Sequence, residues 1–145
     1  YVPENPHAVV MLSHGFIENA EKYKEIAYYF AKEGFNVYLP EHCGHGFSYR
    51  LTEDESLVHL DSFERYVEDF IFVTKKAKEE NPGMKIYLYG HSMGGGIAAA
   101  VAARVPEMFE KVILSSPMIR PLTGGVLWQR RSQRHPARWE GTKNM

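Results

Sequence analysis

A serine stands between two glycines in the middle of the chain, in the stretch Gly90-His-Ser-Met-Gly94. An apolar run, Lys85-Ile-Tyr-Leu-Tyr89, precedes it, and small and apolar residues follow over 93–105. This order predicts a strand, a sharp turn and a helix, with Ser92 on the turn. Glycines two residues to either side allow the close backbone approach that such a turn needs. The pattern favours a nucleophilic hydroxyl held above a sheet edge. The alternative is a glycine-rich helix cap in which Ser92 has no chemical role.

The backbone near Ser92 also predicts a place for developing negative charge. Ser92 lies at the positive end of the following helix, and the N–H of Met93 is placed to donate to an oxyanion. A second donor is expected at the N–H of Phe16, because an apolar run over 7–13 stops at His14-Gly15 and the chain then turns. The alternative is an ordinary tight turn after a strand, with His14 satisfied inside it.

Hydrophobic periodicity predicts four strands that alternate with three helices. The strands are expected at 7–13, 35–39, 85–89 and 111–115. Asn19 is the expected N-cap of the first helix, and Gly34 ends it. Asp61 is the expected N-cap of the second helix, whose predicted apolar face consists of Phe63, Tyr66, Val67, Phe70, Ile71 and Ala77. The third helix follows Ser92.

This alternation predicts an α/β domain with a mainly parallel sheet of about four strands, flanked by helices. Ligand chemistry then belongs at the carboxyl ends of the strands, where His14, the loop over 42–48, Ser92 and Ser116 all fall. The acidic residues Asp54, Asp61 and Asp69 are expected in a loop, at a cap and on the surface, and not in catalysis.

A loop with several glycines, Glu41-His-Cys-Gly-His-Gly-Phe-Ser-Tyr-Arg50, follows the second predicted strand. Two histidines and a cysteine invite comparison with a zinc site. A structural zinc site needs four ligands, and no second pair lies at a suitable spacing, so no metal is predicted. The loop is expected to be rigid, with His45 making internal hydrogen bonds.

Composition narrows the classes of function. The 145 residues suit one domain, and 17 basic residues nearly balance 18 acidic ones, which gives no indication of a nucleic-acid partner. The single cysteine, Cys43, excludes an internal disulfide and fits a reducing compartment. No apolar run is long enough to span a bilayer, and no signal peptide is recognisable. A cytoplasmic location is therefore expected.

Four stretches resemble the α/β-hydrolase superfamily, and within it the monoacylglycerol lipase and lysophospholipase group. They are Ser13-His-Gly-Phe16, the loop over 40–48, Gly90-His-Ser-Met-Gly-Gly95 and Ser115-Ser-Pro-Met118. The resemblance covers roughly residues 7–122 in the same order and spacing. The loop departs from the family's Asp-x-Arg-Gly-His-Gly-x-Ser, because Glu41 and Cys43 occupy the acidic and arginine positions.

The resemblance implies a partial α/β-hydrolase fold and a serine hydrolase without a cofactor. Ser92 would be the nucleophile, and the N–H groups of Phe16 and Met93 would form the oxyanion hole. His14 and His91 are assigned to substrate binding. The implied substrate is a small carboxylic ester or a lysolipid, and transient contact with a membrane surface is left open. A peptidase or thioesterase on the same fold, or a catalytically silent domain that binds a lipid or a partner, remains an alternative.

The family's triad requires an acid and a histidine after later strands. Downstream of Ser92 the acidic residues are Glu107, Glu110 and Glu140, and the histidine is His135. None has the expected setting. The core is therefore predicted over 1–122 as the front part of a longer hydrolase. Residues 123–145 would begin a lid or form an aberrant tail, and this chain alone is expected to be weak or inactive.

Overall fold

A computed structural model describes residues 2–54 and 56–119. The predicted segment over 123–145, with His135 and Glu140, lies outside these residues. Strands and helices alternate as expected: β1 is Ala8–Ser13, α1 Lys24–Lys32, β2 Phe35–Tyr38, α2 Phe63–Glu80, β3 Lys85–His91, α3 Met93–Arg104 and β4 Lys111–Ser115. Short 3₁₀ helices span Ala20–Tyr23 and Pro106–Met108.

The four described strands form one parallel sheet in the order β2-β1-β3-β4. All six residues of β1 are buried, as their continuous apolar run predicts for a strand covered on both faces. In the register between β1 and β3, Ser13 pairs with Gly90. Because both strands run in the same direction, the turn after Ser13 and the turn after His91 meet at one edge of the sheet.

Apolar side chains from the helices cover the two faces of the sheet. Tyr23 and Ala27 pack with Val10, Leu12 and Val37 on one face. A larger cluster on the other face joins α2 and α3 to β1 and β3, and its fully buried members include Met11, Val67, Phe70, Leu88 and Ile97. The helices therefore hold β1 and β3, and with them the two turns, in a fixed relation.

Three details of the helices correct the sequence predictions. Asn19 precedes the first 3₁₀ helix but makes no capping hydrogen bond with its side chain. The N-cap of α2 is Ser62, whose hydroxyl accepts from the N–H of Glu64, whereas Asp61 pairs with Arg65. Phe63 was expected on the buried face of α2 but is 44% exposed. Gly34 ends α1 at φ +85°, as predicted.

Strand β4, at one edge of the sheet that the described residues form, differs from the other strands. Its central residues Val112, Ile113 and Leu114 are exposed, and Ile113 is 53% exposed. Its inner edge pairs with β3 from Tyr87 to His91. This strand therefore supports the backbone next to Ser92, although its own side chains are little covered by the described residues.

Candidate active site

Ser92 occupies the junction between β3 and α3, in a conformation that L-residues rarely adopt. Its φ is 52° and its ψ is −120°. Its N–H donates to the carbonyl of Ser115 at 3.0 Å, and its own carbonyl accepts from the N–H groups of Gly96 and Met118 at 3.1 and 2.8 Å. The strained backbone is therefore held by the end of β4 and by the first turn of α3.

Gly90 and Gly94 are needed because neighbouring atoms leave no space for a side chain, and not because the backbone there must be flexible. A Cβ on Gly90 would lie 2.5 Å from the carbonyl oxygen of Gly94, and a Cβ on Gly94 would overlap the carbonyl oxygens of Ser13 and His14. No residue with a side chain fits at either position without movement of the backbone. These contacts press the start of α3 against the end of β1, and this agrees with the strand, turn and helix predicted from the sequence.

Ser92 is half-buried, and its hydroxyl has no hydrogen-bond partner among the described residues. The N–H of Met93 opens α3, and the N–H of Phe16 lies in the turn after β1; neither is used in a hydrogen bond within the described part of the chain. A Cβ built on Gly15, next to Phe16, would lie 3.4 Å from Cβ of Ser92. The turn after β1 is thus close to Ser92. The roles of these three residues in catalysis stay predictions.

Hydrogen bonds on both sides of Gly15 fix the turn after β1. The carbonyl of Gly15 accepts from Nδ1 of His14 at 2.9 Å and from the N–H of Glu18 at 3.3 Å, and its N–H donates to Oε2 of Glu18 at 2.7 Å. A trans peptide is planar, so its N–H points away from its carbonyl. Holding the Gly15 carbonyl therefore sets the direction of the Phe16 N–H.

Three buried histidines lie beneath this turn. Nε2 of His14 accepts from the N–H of His42 at 3.0 Å, and His42 shares a hydrogen bond with the hydroxyl of Ser13 at 3.0 Å. His45 contacts the carbonyl of Cys43 through Nδ1 at 3.1 Å, which confirms its expected internal hydrogen bond. The rings of His14 and His42 are 4.4 Å apart.

Burial controls the protonation of these rings. It lowers the pKa of His14 and outweighs the hydrogen bond to Gly15, which acts in the opposite direction. Burial also holds the pKa of His42 well below its usual value, with the neighbouring His14 and His45 adding to the effect. The pKa of His45 is lowered by burial as well. All three histidines are therefore neutral at pH 7.

His14 and His91 were assigned to substrate binding, and the structure gives these two residues different surroundings. His14 has no exposed surface, and both of its ring nitrogens bond to backbone groups. His91 is half-buried beside the serine, with Nδ1 3.2 Å from the hydroxyl of Ser115. His14 thus forms part of the turn, as the alternative interpretation described. Contact of either residue with a substrate stays a prediction.

Glu41 connects the loop after β2 to the segment after β1. Oε1 accepts from the N–H of Ala20 at 2.9 Å, and Oε2 accepts from the N–H of Phe47 at 2.6 Å. The carboxylate lies against Gly46, whose φ is +50°. The sequence flagged Glu41 as a departure from the family pattern. Its contacts show that glutamate joins the two loops here.

No hydrogen bond joins a histidine to the Ser92 hydroxyl over residues 2–54 and 56–119. The acidic residues that were set aside have other partners: Asp61 pairs with Arg65, Asp69 accepts from Tyr49, and Glu110 pairs with Lys85. These three carboxylates are therefore engaged in contacts at the protein surface. The described residues therefore bring together a serine and two free N–H groups, without a base in contact.

Two features of the site were missed from the sequence. Ile17 adopts φ +55°, a conformation that a β-branched residue rarely takes. Glu18, the next residue, accepts hydrogen bonds from Gly15 and Tyr23. The sequence did offer a signal for Glu18: a carboxylate three residues after a predicted turn glycine can accept a hydrogen bond from the N–H of that glycine. Nothing in the local sequence predicts the positive φ at isoleucine.

Known proteins resemble this chain in both sequence and structure. The model of the family described as serine aminopeptidase, S33, matches residues 4–141. A monoacylglycerol lipase of Mycolicibacterium smegmatis is 37% identical over 120 residues, which cover 83% of this chain and 41% of the relative. Lysophospholipase L2 of Escherichia coli K12 is 36% identical over 110 residues, covering 76% and 32%.

The crystal structure of a monoacylglycerol lipase from Paleococcus ferrophilus superposes with a TM-score of 0.72 at 26% identity, covering 90% of this chain and 48% of that one. The fold is that of the α/β-hydrolases, in partial form. The chain spans about four-tenths or less of the length of the two relatives described above. Among the described helices, none has the length and apolar character needed to cross a bilayer.

Proposed function

Because the chain belongs to the serine aminopeptidase S33 family of α/β-hydrolases, we propose that it hydrolyses carboxylic esters through an acyl-enzyme on Ser92. The substrates that we propose are monoacylglycerols and lysophospholipids, the lipids named for two of its relatives. The observation that carries this proposal is the conformation of Ser92. A half-buried serine held at φ 52°, with no partner for its hydroxyl among the described residues, costs stability, and a purely structural turn would place glycine there.

The proposed reaction has two steps. The Ser92 oxygen attacks the ester carbonyl carbon, its proton passes to a base, and the carbonyl oxygen becomes an oxyanion that accepts from the N–H groups of Phe16 and Met93. The intermediate expels the alcohol, which takes up the proton, and an acyl-Ser92 ester remains. Water then attacks the acyl carbon of this ester and gives a proton to the base, which forms a second oxyanion, and the base returns the proton to the Ser92 oxygen as its bond to the acyl carbon breaks. The fatty acid leaves and the serine hydroxyl is restored.

The base is proposed to be a histidine that the described residues do not place at Ser92. Without it, catalysis falls to what the oxyanion donors and binding provide, which is orders of magnitude less than an intact triad supplies. We therefore expect the 145-residue chain to react slowly with a fluorophosphonate, at Ser92 only. Rapid stoichiometric labelling at neutral pH would show that a base is present, and labelling of Ser92→Ala at the wild-type rate would contradict the proposal.

The family description favours a second candidate, an aminopeptidase. The serine turn does not select the leaving group, so the substrate must decide. We would measure kcat/KM on a monoacylglycerol, an aminoacyl amide and an acyl thioester, and subtract the rate of Ser92→Ala in each case. Ester hydrolysis is expected to be fastest. A faster amide reaction would favour the peptidase. A full-length protein without any Ser92-dependent hydrolysis would favour a silent binding domain.

A further inference from the structure

The turn after β1 contains a carboxylate at the point where the proposed oxyanion donor is oriented. Glu18 is only partly exposed, with 19% of its side-chain surface accessible. Its Oε2 accepts from the N–H of Gly15 at 2.7 Å and from the hydroxyl of Tyr23 at 2.9 Å, while Oε1 lies 3.5 Å from Nζ of Lys22. One carboxylate therefore connects the turn to the first helical segment.

This carboxylate holds a turn that its own sequence disfavours. The N–H of Glu18 donates to the carbonyl of Gly15, so the turn runs over residues 15–18 with Ile17 as its third residue. A positive φ at the third position normally calls for glycine or asparagine, and here it is imposed on isoleucine at +55°. The Ile17 side chain is 73% exposed and contributes little packing. The turn must be held by other contacts, and Glu18 supplies them on both sides of Gly15.

The same contacts reach the nucleophile. A Cβ built on Gly15 would lie 2.6 Å from Oε2 of Glu18 and 3.4 Å from Cβ of Ser92. Gly15 therefore lies between the carboxylate and the serine, close to both. The Phe16 N–H belongs to the peptide that begins at the Gly15 carbonyl. A shift of Gly15 would therefore turn this N–H relative to Ser92.

We propose that Glu18 is a positioning residue: its carboxylate, anchored by Tyr23, holds Gly15 and thereby aims the N–H of Phe16 at the acyl group on Ser92. This role rests on the proposed function of Ser92. Burial raises the pKa of Glu18, but the hydrogen bonds from Gly15 and Tyr23 outweigh it and lower the pKa overall. The acceptor is thus ionised at neutral pH, the form that accepts hydrogen bonds most strongly.

The test separates reactivity from binding of a fluorophosphonate by the 145-residue chain. Removing an oxyanion donor outright costs roughly 10²–10³ in rate. Glu18→Ala should lower kinact by about tenfold or more, within that limit, and leave KI unchanged, because the N–H acts on the transition state. Glu18→Gln, which keeps an acceptor oxygen, should recover most of kinact. Glu21→Ala, which removes only an exposed pair with Lys24, is the matched control and should change neither constant.

A second readout does not depend on the reactivity of Ser92. Hydrogen exchange of the Gly15 amide, followed by NMR, should be slow in the wild type and in Glu18→Gln and fast in Glu18→Ala, with β1 amides such as that of Leu12 unchanged. Unchanged exchange at Gly15 overturns the inference. An equal fall of kinact in Glu18→Gln and Glu18→Ala also overturns it. If the wild type is labelled no faster than Ser92→Ala, the proposed function fails, and exchange alone then decides whether Glu18 holds the turn.

Discussion

The two turns that meet at the sheet edge are built in opposite ways. The turn over 90–94 has glycine wherever a side chain would collide, and it places its one strained residue, Ser92, at the centre of the proposed chemistry. The turn over 15–18 places its strain on Ile17, an exposed residue without a proposed chemical role, and is held by the side chains of His14 and Glu18. The serine turn thus depends on residues without a side chain, whereas the turn after β1 depends on hydrogen bonds from the side chains of His14 and Glu18.

Different changes should therefore disrupt the two turns. Added bulk should disrupt the serine turn, since its contacts are between backbones that cannot move apart cheaply. Loss of an acceptor, or protonation of a buried ring, should disrupt the turn after β1, because its contacts are hydrogen bonds.

Gly94→Ala should cause the largest loss of stability. Its new methyl group would overlap the carbonyl oxygens of Ser13 and His14, so α3 must move away from β1. We expect a loss of about 3 kcal/mol or more in the free energy of unfolding, measured by urea denaturation. Gly83→Ala is the matched control: φ is +80° but no described atom lies within 4 Å of the added Cβ, so only a backbone cost of about 1–2 kcal/mol is expected. Equal losses would contradict the steric account.

Acid should weaken the turn after β1 through its buried histidines. The pKa values of His14, His42 and His45 are lowered by burial. Below about pH 6.5 these rings bind protons in the unfolded chain but stay neutral in the folded chain, so unfolding takes up protons. Above that pH the free energy of unfolding is not reduced by this effect. Below it, the free energy of unfolding falls by up to about 1.4 kcal/mol per pH unit for each ring that stays neutral.

Urea denaturation between pH 7 and pH 5 measures this slope. His45→Gln should reduce it, whereas His59→Gln, at an exposed position, should leave it unchanged. A slope unaffected by His45→Gln would mean that the acid sensitivity arises elsewhere in the chain.

Ser92→Gly should stabilise the protein while it removes reactivity. Glycine adopts φ 52° and ψ −120° without the strain that serine bears. Relief of about 1–3 kcal/mol of strain, less roughly 0.5–1 kcal/mol for the freer unfolded chain, gives a net gain of about 1 kcal/mol. Thermal and urea unfolding would measure it. Ser92→Ala keeps the Cβ, and with it the backbone strain, so it should unfold like the wild type. An equal gain in the free energy of unfolding in both variants would contradict strain at this position.

Ile17→Gly should give the smallest change, a gain of about 0.5 kcal/mol. The strain at φ +55° is removed, and little burial is lost because the side chain is exposed. Since Glu18 holds the turn in this account, labelling of Ser92 should keep the wild-type rate. A large drop in that rate would mean that Ile17, and not Glu18, sets the direction of the Phe16 N–H.

Sequence patterns were sufficient for the regular elements and for the serine turn. The run over 7–13 is apolar because both faces of β1 are buried. Gly90 and Gly94 are glycines because the backbones approach each other closely there. The cap of α2 was misplaced by one residue because Asp61 and Ser62 are both good caps, and the ion pair with Arg65 selected between them.

The side-chain supports of the site could not be predicted as easily. Glu18 and Glu41 bond to N–H groups of residues whose positions depend on the folded loops. The exposure of Phe63 and Ile113 depends equally on which segments pack nearby, and periodicity alone does not show this. The folded course of the loops, and not local propensity, therefore determines the parts of the site that were missed.

Peptide mapping after prolonged incubation with a fluorophosphonate shows whether the fold activates Ser92. We predict one adduct, on Ser92, that forms in the folded 145-residue chain and fails to form in Ser92→Ala or in urea. An adduct spread over other serines, such as Ser13 or Ser115, or equal labelling of the folded and unfolded chains, would show that the fold does not activate Ser92 and would contradict the proposed hydrolase.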